Sequence, residues 1–236
     1  MIADRLLQHA LSFSFKGLGI PEGVGVLDPF NGPKAKEVRR IVTLFHRKYY
    51  NDDRQRVLML GINPGRLGAG STGLPFTDTK RCEGDLHIPV NGLHTHEPSS
   101  DFFYRMIRAA GGPEAFYSKV YVHAVCPLGF VKHGPKGPIN LNYYDDKALE
   151  EAVTPFVENW LRTLVACGMR TDAVFCIGTG KNAAYFTKLN DRLGLFKRIV
   201  PLEHPRFVMQ YKAKQLDAYI QKYVSALAPV AQGARP

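Results

Sequence analysis

Apolar positions along the chain fall into two kinds of run. Four short, β-branched-rich stretches, residues 56–62, 120–125, 173–177 and 199–202, are apolar nearly throughout and are bounded by charged or turn residues. That is the pattern of strands buried on both faces. Between them the period changes to that of a helix. Residues 102–110 follow the capping sequence Ser99-Ser100-Asp101, and residues 146–166 place Leu149, Val153, Phe156, Val157, Trp160, Leu161 and Leu164 on one face. Residues 182–193 and 212–227 read as two further helices. Strands alternating with helices imply parallel βαβ units, so the expected fold is α/β, a three-layer α/β/α sandwich around a central four-stranded parallel sheet.

Ahead of the first strand, residues 3–13 and 34–50 read as two helices joined by a Gly/Pro-rich loop, giving a helical flank over 1–55. Residues 65–100 have almost no periodicity and many Gly, Pro, His and Thr, and a loop that long in a compact domain is usually functional. Residues 229–236 are expected to fray, and residues 1–236 to form a single domain.

Parallel strands bring their carboxyl ends to one edge, where open α/β sheets bind ligands. Those ends read Gly61-Ile62-Asn63-Pro64-Gly65, His123-Ala124-Val125-Cys126-Pro127-Leu128, Gly178-Thr179-Gly180-Lys181 and Glu203-His204-Pro205-Arg206-Phe207. Asn63, His123 and His204 are therefore expected to converge. Taken singly, each segment also has an ordinary structural explanation. Asn63-Pro64 is a common turn dipeptide, His204 can cap a surface turn, and residues 178–181 can be a tight strand-to-helix turn. This last segment lacks the spacing of a nucleotide phosphate loop, since Asn182 follows the lysine, yet a helix N-terminus there could take one phosphate.

Composition narrows the partners. With 31 Lys and Arg against 21 Asp and Glu, the net charge of +10 suits a phosphate-rich partner. No apolar run approaches membrane-spanning length and the N-terminus lacks the order of a signal peptide, so a cytoplasmic or otherwise intracellular protein without a membrane partner is expected. Cys82, Cys126, Cys167 and Cys176 form no C-x-x-C pair, which argues against an iron-sulfur cluster or structural zinc site; all four are expected to be reduced. His87, His94 and His96 offer only two closely spaced ligands and no acidic partner at a fixed interval. No metal and no cofactor is expected.

Taken together and in order, Gly61-Ile62-Asn63-Pro64-Gly65, Thr72-Gly73-Leu74-Pro75-Phe76, His123-Ala124-Val125-Cys126-Pro127-Leu128 and His204-Pro205 closely resemble the motifs of the single-strand-selective monofunctional uracil-DNA glycosylases, over about residues 56–206. The resemblance implies hydrolysis of the N-glycosidic bond of a deaminated base in DNA, leaving an abasic site for base excision repair. It implies that Asn63 orients the attacking water and that a neutral His204 donates a hydrogen bond to the departing base. Phe76 would stack on the flipped base, and backbone N–H groups near Ile62 and Asn63 would contact its carbonyls. Other uracil glycosylases carry a bulky tyrosine where Gly65 stands, so Gly65 implies a roomier pocket. Arg206 or Phe207 would fill the gap left in the helix, and Lys181, Lys212 and Lys214 would contact phosphates or remain solvated surface lysines. The implied partner is DNA, single-stranded and double-stranded, bound by a monomer.

The chain departs from the family at two places. The family's third motif has an Asn that reads the pyrimidine edge, and Ala124 stands there instead. The amide's loss implies weaker pyrimidine selectivity and room for deaminated purines, unless Asn140, Asn142 or His123 takes over the reading. After His204-Pro205 the family continues Ser-Pro-Arg-Asn, whereas here Arg206 and Phe207 follow directly. This shorter wedge leads us to expect single-stranded substrate to be cut at least as well as duplex. Two readings from other classes remain open: a module that binds DNA damage without excising it, and nucleotide-dependent phosphotransfer resting on residues 178–181 alone.

Overall fold

Every residue of the run Val57-Leu58-Met59-Leu60-Gly61 is buried, which only a strand covered on both faces achieves. In the computed structural model, which describes residues 1–232, the elements run in the order α1 (Ile2–Ala10), β1 (Val24–Leu27), α2 (Ala35–Tyr49), β2 (Val57–Gly61), α3 (Ala69–Thr72), α4 (Thr79–Gly84), α5 (Pro98–Ala109), α6 (Gly112–Tyr117), β3 (Val120–Ala124), β4 (Gly129–Gly134), β5 (Gly137–Leu141), α7 (Lys147–Ala166), β6 (Val174–Ile177), α8 (Lys181–Leu193), β7 (Ile199–Leu202), α9 (Pro205–Tyr211) and α10 (Leu216–Gln232).

The strands β3-β2-β6-β7 form a parallel four-stranded sheet in that order. The register pairs Gly61 with Ala124, Leu60 with Cys176 and Ile177 with Leu202, so all four carboxyl ends lie at one edge. Chain order reverses direction across β2 and β6, which makes the gap beyond them the switch point where such sheets bind ligands. Helices cover both faces, as the α/β/α expectation required. The longest, α7, buries Leu149, Val153, Val157, Trp160, Leu161 and Leu164, and the Asp146 carboxylate caps it at Leu149 N, 2.9 Å away. Arg56, placed at the strand's boundary by its charge, is wholly buried instead. Its guanidinium donates to the Tyr117 and Tyr49 carbonyls, pairs with Asp52 and lies 5.2 Å from the Tyr50 ring centre, so the charge is compensated on every side.

A second sheet departs from the expectation of an all-helical flank over 1–55. β1 pairs antiparallel with β4, and β4 with β5, in a three-stranded sheet. The two-residue turn Pro135-Lys136 joins β4 to β5, with Gly137 at φ +106° completing it. This sheet lies over the exit of β2: a Cβ on Gly129 would come within 2.5 Å of the Pro64 carbonyl oxygen, so only glycine lets β4 cross there.

Other boundaries also shift. The aperiodic segment 65–100 contains the short helices α3 and α4, and α5 begins at Pro98. Residues 205–211, expected as a loop, form α9. Residues 229–232 continue α10 rather than fray, and residues 233–236 lie outside the described residues. Among the described residues no helix is long and apolar enough to cross a membrane.

Candidate active site

A cavity of about 230 Å³ opens at the carboxyl edge of the parallel sheet. Its walls bring together Ile62, Asn63, Gly65, Phe76, His123, Ala124, His204 and Arg206, all singled out from the sequence. Lys181 and Phe207 line an adjoining cavity that shares Ile62 and His204 with the first. Lys212, the C-cap of α9, lies in neither wall.

Asn63 leaves β2 beneath the second sheet, and the end of β5 fixes its amide. Asn63 Nδ2 donates to the Leu141 carbonyl at 3.2 Å, and Asn63 Oδ1 accepts from Tyr143 N at 3.3 Å. Both partners are backbone groups of unambiguous polarity, so the amide has one orientation. Oδ1 keeps a second lone pair for another donor. Tyr143 is itself anchored, its hydroxyl donating to Asn182 Oδ1 at 2.8 Å, and Asn182 Nδ2 ties back to the Ile177 carbonyl.

Phe76 reaches the cavity through an unusual backbone. Its φ of +53° costs a side-chain-bearing residue about 1 kcal/mol. The buried Thr72 hydroxyl holds the turn, donating to the Thr77 carbonyl at 2.7 Å and accepting from Leu74 N. One face of the Phe76 ring stacks on Phe103 with centroids 4.6 Å apart. A Cβ on Gly61 would touch the ring at 3.0 Å, so this glycine lets the ring lie against the sheet edge.

His204 lies two residues beyond β7 and is the N-cap of α9. Its Nδ1 accepts from Arg206 N at 3.1 Å, and Pro205 sits at the first helical position, where a missing N–H costs nothing. With Nδ1 as acceptor, the neutral ring carries its proton on Nε2. Burial, and then the neighbouring Arg206 charge, push the His204 pKa down to about 4. The ring tilts against Phe76 at 5.7 Å.

His123 lies on β3 beside Ala124, but strand alternation turns its ring the other way. It packs 4.5 Å from Trp160, and burial holds its pKa at about 3. Its buried Nδ1 has no hydrogen-bond partner. On the His123 side the cavity continues to Phe13, Phe45, His46 and Tyr121. Among the described residues, a Cβ on Gly65 would meet only Asn140 Nδ2 within 4 Å, at an ordinary contact distance of 3.4 Å.

Residues 178–181 form the turn into α8, with Gly178 at φ +119°. The His87, His94 and His96 segment gathers no metal-holding cluster among the described residues; His96 lies 3.5 Å from Asp78 instead.

Sequence reasoning missed Glu97. It occupies the N-cap position of α5 without capping it; Asp78 takes over locally, accepting from Glu97 N and Ser100 Oγ. The Glu97 carboxyl turns into the cavity against Gly68, where a Cβ would clash at 2.2 Å, and Oε2 is buried without a partner. Burial, with the Asp78 charge adding to it, raises its pKa from 4.5 to about 7, against the pull of Arg206. Since folding raises this pKa, the stability linked to Glu97 is complete below about pH 4.5 and is lost as pH rises through about 7. Glu97→Gln should therefore stabilise the fold by about 1–3 kcal/mol at pH 8 and by little at pH 4.5. Thermal melts at the two pH values check this, and an equal shift at both would sink it.

Fold and site together define a class. The Uracil DNA glycosylase superfamily model matches residues 47–228, and the chain belongs to that superfamily. Among particular relatives, the Single-strand selective monofunctional uracil-DNA glycosylase of Rattus norvegicus is 33% identical over 36% of this chain and 38% of its own length. The Bos taurus protein of the same description is 33% identical over 35% of this chain and 38% of its own. The chain thus matches well under half the length of these curated relatives. The crystal structure of wild-type Pedobacter heparinus SMUG2 is similar throughout, with a TM-score of 0.94 and 46% identity, covering 98% of this chain and 99% of that one.

Proposed function

We propose that this protein is a monofunctional DNA glycosylase that releases uracil, and other deaminated bases, from DNA. The observation that carries the reading is the placement of Asn63, Phe76 and His204 around one cavity, with His204 held neutral as an Nε2–H donor. A target base buried in a helix must be swung out to reach such a cavity. The free face of Phe76 takes the base, and stacking of this kind contributes about 1–3 kcal/mol with little dependence on base identity.

In the reaction, the bond between the sugar C1′ and the base nitrogen breaks with its electron pair going to the base. Negative charge gathers on the base carbonyl oxygen, where the Nε2–H of His204 stabilises it. The sugar is left cation-like, so a water held on Asn63 Oδ1 needs positioning more than deprotonation. That water adds to C1′, the proton it gives up neutralises the base anion, and the products are the neutral free base and an abasic site.

The superfamily implies DNA as the substrate. Thr179, Gly180, Lys181 and the exposed Phe207, which line the adjoining cavity with His204, and Arg206, which lines the main one, are the candidate contacts to the strand. Phe207 packs on the exposed Tyr211 at 5.6 Å on the first turns of α9, a short apolar wedge suited to single strands at least as well as duplexes. Ala124 presents only a methyl group to the cavity, which supports a base range wider than uracil, including deaminated purines.

One panel of oligonucleotides tests these points: uracil, 5-hydroxymethyluracil, hypoxanthine and xanthine, single-stranded and duplexed at matched salt. Alkaline cleavage after a single turnover reports abasic sites. The parent should release uracil and at least one larger base. Ala124→Asn should raise the preference for uracil over the larger bases about tenfold or more. No abasic sites with any base would leave only damage binding, and an unchanged preference in Ala124→Asn would remove position 124 from base selection.

A further inference from the structure

The cavity lacks the amide that the resembling family uses to read its base, so another group must distinguish a deaminated base from its parent. Three side chains were open to that task from the sequence, and the structure separates them. His123 also lines the cavity, but its ring packs 4.5 Å from Trp160 and beside Tyr121, on the opposite face of β3 from Ala124 and so away from the position of the missing amide. Asn142 is engaged in its own turn, with backbone N and Nδ2 both donating to Asp145 Oδ2 at 3.0 and 2.9 Å. Asn140 is different. It stands on β5 at the exposed rim of the cavity, and its Oδ1 accepts from Arg66 N at 3.1 Å.

That bond fixes the amide's sense, so Nδ2 points away from Arg66 N. It lies 3.4 Å from the position a Cβ would take on Gly65, and among the described residues no acceptor engages it. A donor is therefore presented beside the glycine that borders the base pocket. The same strand end holds Asn63, the group proposed to orient the water, since Leu141 O and Tyr143 N clamp its amide. Reading and bond cleavage are thus anchored to one short segment, and a base misplaced at one is misplaced at the other.

We propose that Asn140 is the specificity-determining residue, donating from Nδ2 to the carbonyl oxygen that deamination creates. This rests on the glycosylase reading and deepens it. Deamination of cytosine replaces the 4-amino donor by a carbonyl acceptor, and deamination of adenine does the same at position 6. A fixed N–H donor meets an acceptor in uracil or hypoxanthine but meets another donor in cytosine or adenine, leaving two desolvated donors without a partner. The selection depends on the change from amino to keto rather than on ring size, which reconciles a roomy cavity with refusal of cytosine and adenine.

The test uses the full chain and oligonucleotides carrying 2′-fluoro-2′-deoxyuridine or 2′-fluoro-2′-deoxycytidine, which bind without losing the base. The parent should bind the uracil form about tenfold or more tighter than the cytosine form. Asn140→Ala should bring that ratio close to one, and Asn140→Asp, which presents only an acceptor, should favour cytosine. A merely structural role would weaken both forms in parallel and leave the ratio alone. An unchanged ratio in both variants, with folding verified by circular dichroism, overturns the proposal. Excision of unmodified uracil by the parent is scored separately, so failure of the glycosylase reading is distinguishable from failure of Asn140 as the reader.

Discussion

Asn63→Ala is expected to lower single-turnover uracil release by about 10²–10⁴-fold while leaving the melting temperature nearly unchanged. The amide is held at both ends by backbone of β5 and its exit, so its remaining lone pair points in one direction. A water bound there is placed without a base to activate it, and placement is most of what a cation-like sugar requires. Removing the amide leaves the Leu141 carbonyl and Tyr143 N open to a replacement water, which limits the structural cost. Asn63→Asp is the informative companion. Its carboxylate still accepts from Tyr143 N but faces the Leu141 carbonyl at 3.2 Å without a donor, so it should retain part of the rate and lose some stability. Release by Asn63→Ala within a few fold of the parent would remove Asn63 from the chemistry.

The parallel sheet was legible because strands covered on both faces have no polar positions to confuse the pattern. Val57 to Leu60 and Val174 to Ile177 are buried without exception. β1, β4 and β5 were not legible, for the converse reason. They form a small antiparallel sheet with partly exposed positions, and β5 opens Gly137-Pro138, residues that argue against a strand. Their pairing is decided by tertiary contact with the Pro64 turn, which leaves only Gly129 as a trace in the sequence. His204-Pro205 was read as a loop because proline restricts the residue before it, yet the same proline is well suited to open α9.

In the site, strand-end reasoning found Asn63 and His204, and the family resemblance found Phe76. What escaped were the groups that hold them. Tyr143 acts on Asn63 through a backbone N–H, which every residue but proline possesses, so its identity carries no signal. Glu97 lies in an aperiodic segment that gives it no distinguishing pattern, and only the packing of its carboxyl against Gly68 shows that it enters the cavity. Asn140 was one of three equivalent candidates until the Arg66 N bond gave its amide a direction. Residue type and strand order gathered the candidate residues at one cavity; hydrogen-bond direction, invisible in a sequence, distinguishes the roles proposed for them.

His204→Ala should lower uracil release by about 10²–10³-fold, the usual effect of deleting one donor to a developing oxyanion. The pH dependence separates this role from packing. Burial holds the ring's pKa near 4, so His204 remains a neutral Nε2–H donor from pH 5 to pH 8 and should impose no inflection there. Below that range Nδ1 takes a proton, the bond from Arg206 N is lost, and the ring loses the contact that orients it. The stability linkage has the same sign. A folded pKa below the ordinary 6.5 contributes stability that is complete above about pH 6.5 and is lost as pH falls through about 4. Burial of His46 and His123 acts in the same direction, so acid should unfold the protein as it inactivates it. Circular dichroism at each pH identifies the range in which rates report chemistry. Within that range, in the Glu97→Gln background that removes the cavity carboxyl titrating near 7, the rate should be level down to about pH 5, and uniformly low once His204→Ala is added. A rate in that background that declines around pH 6.5 and follows the ionisation of an ordinary imidazole would show that the ring is not held neutral, and the assignment of His204 as the donor to the departing base would fail.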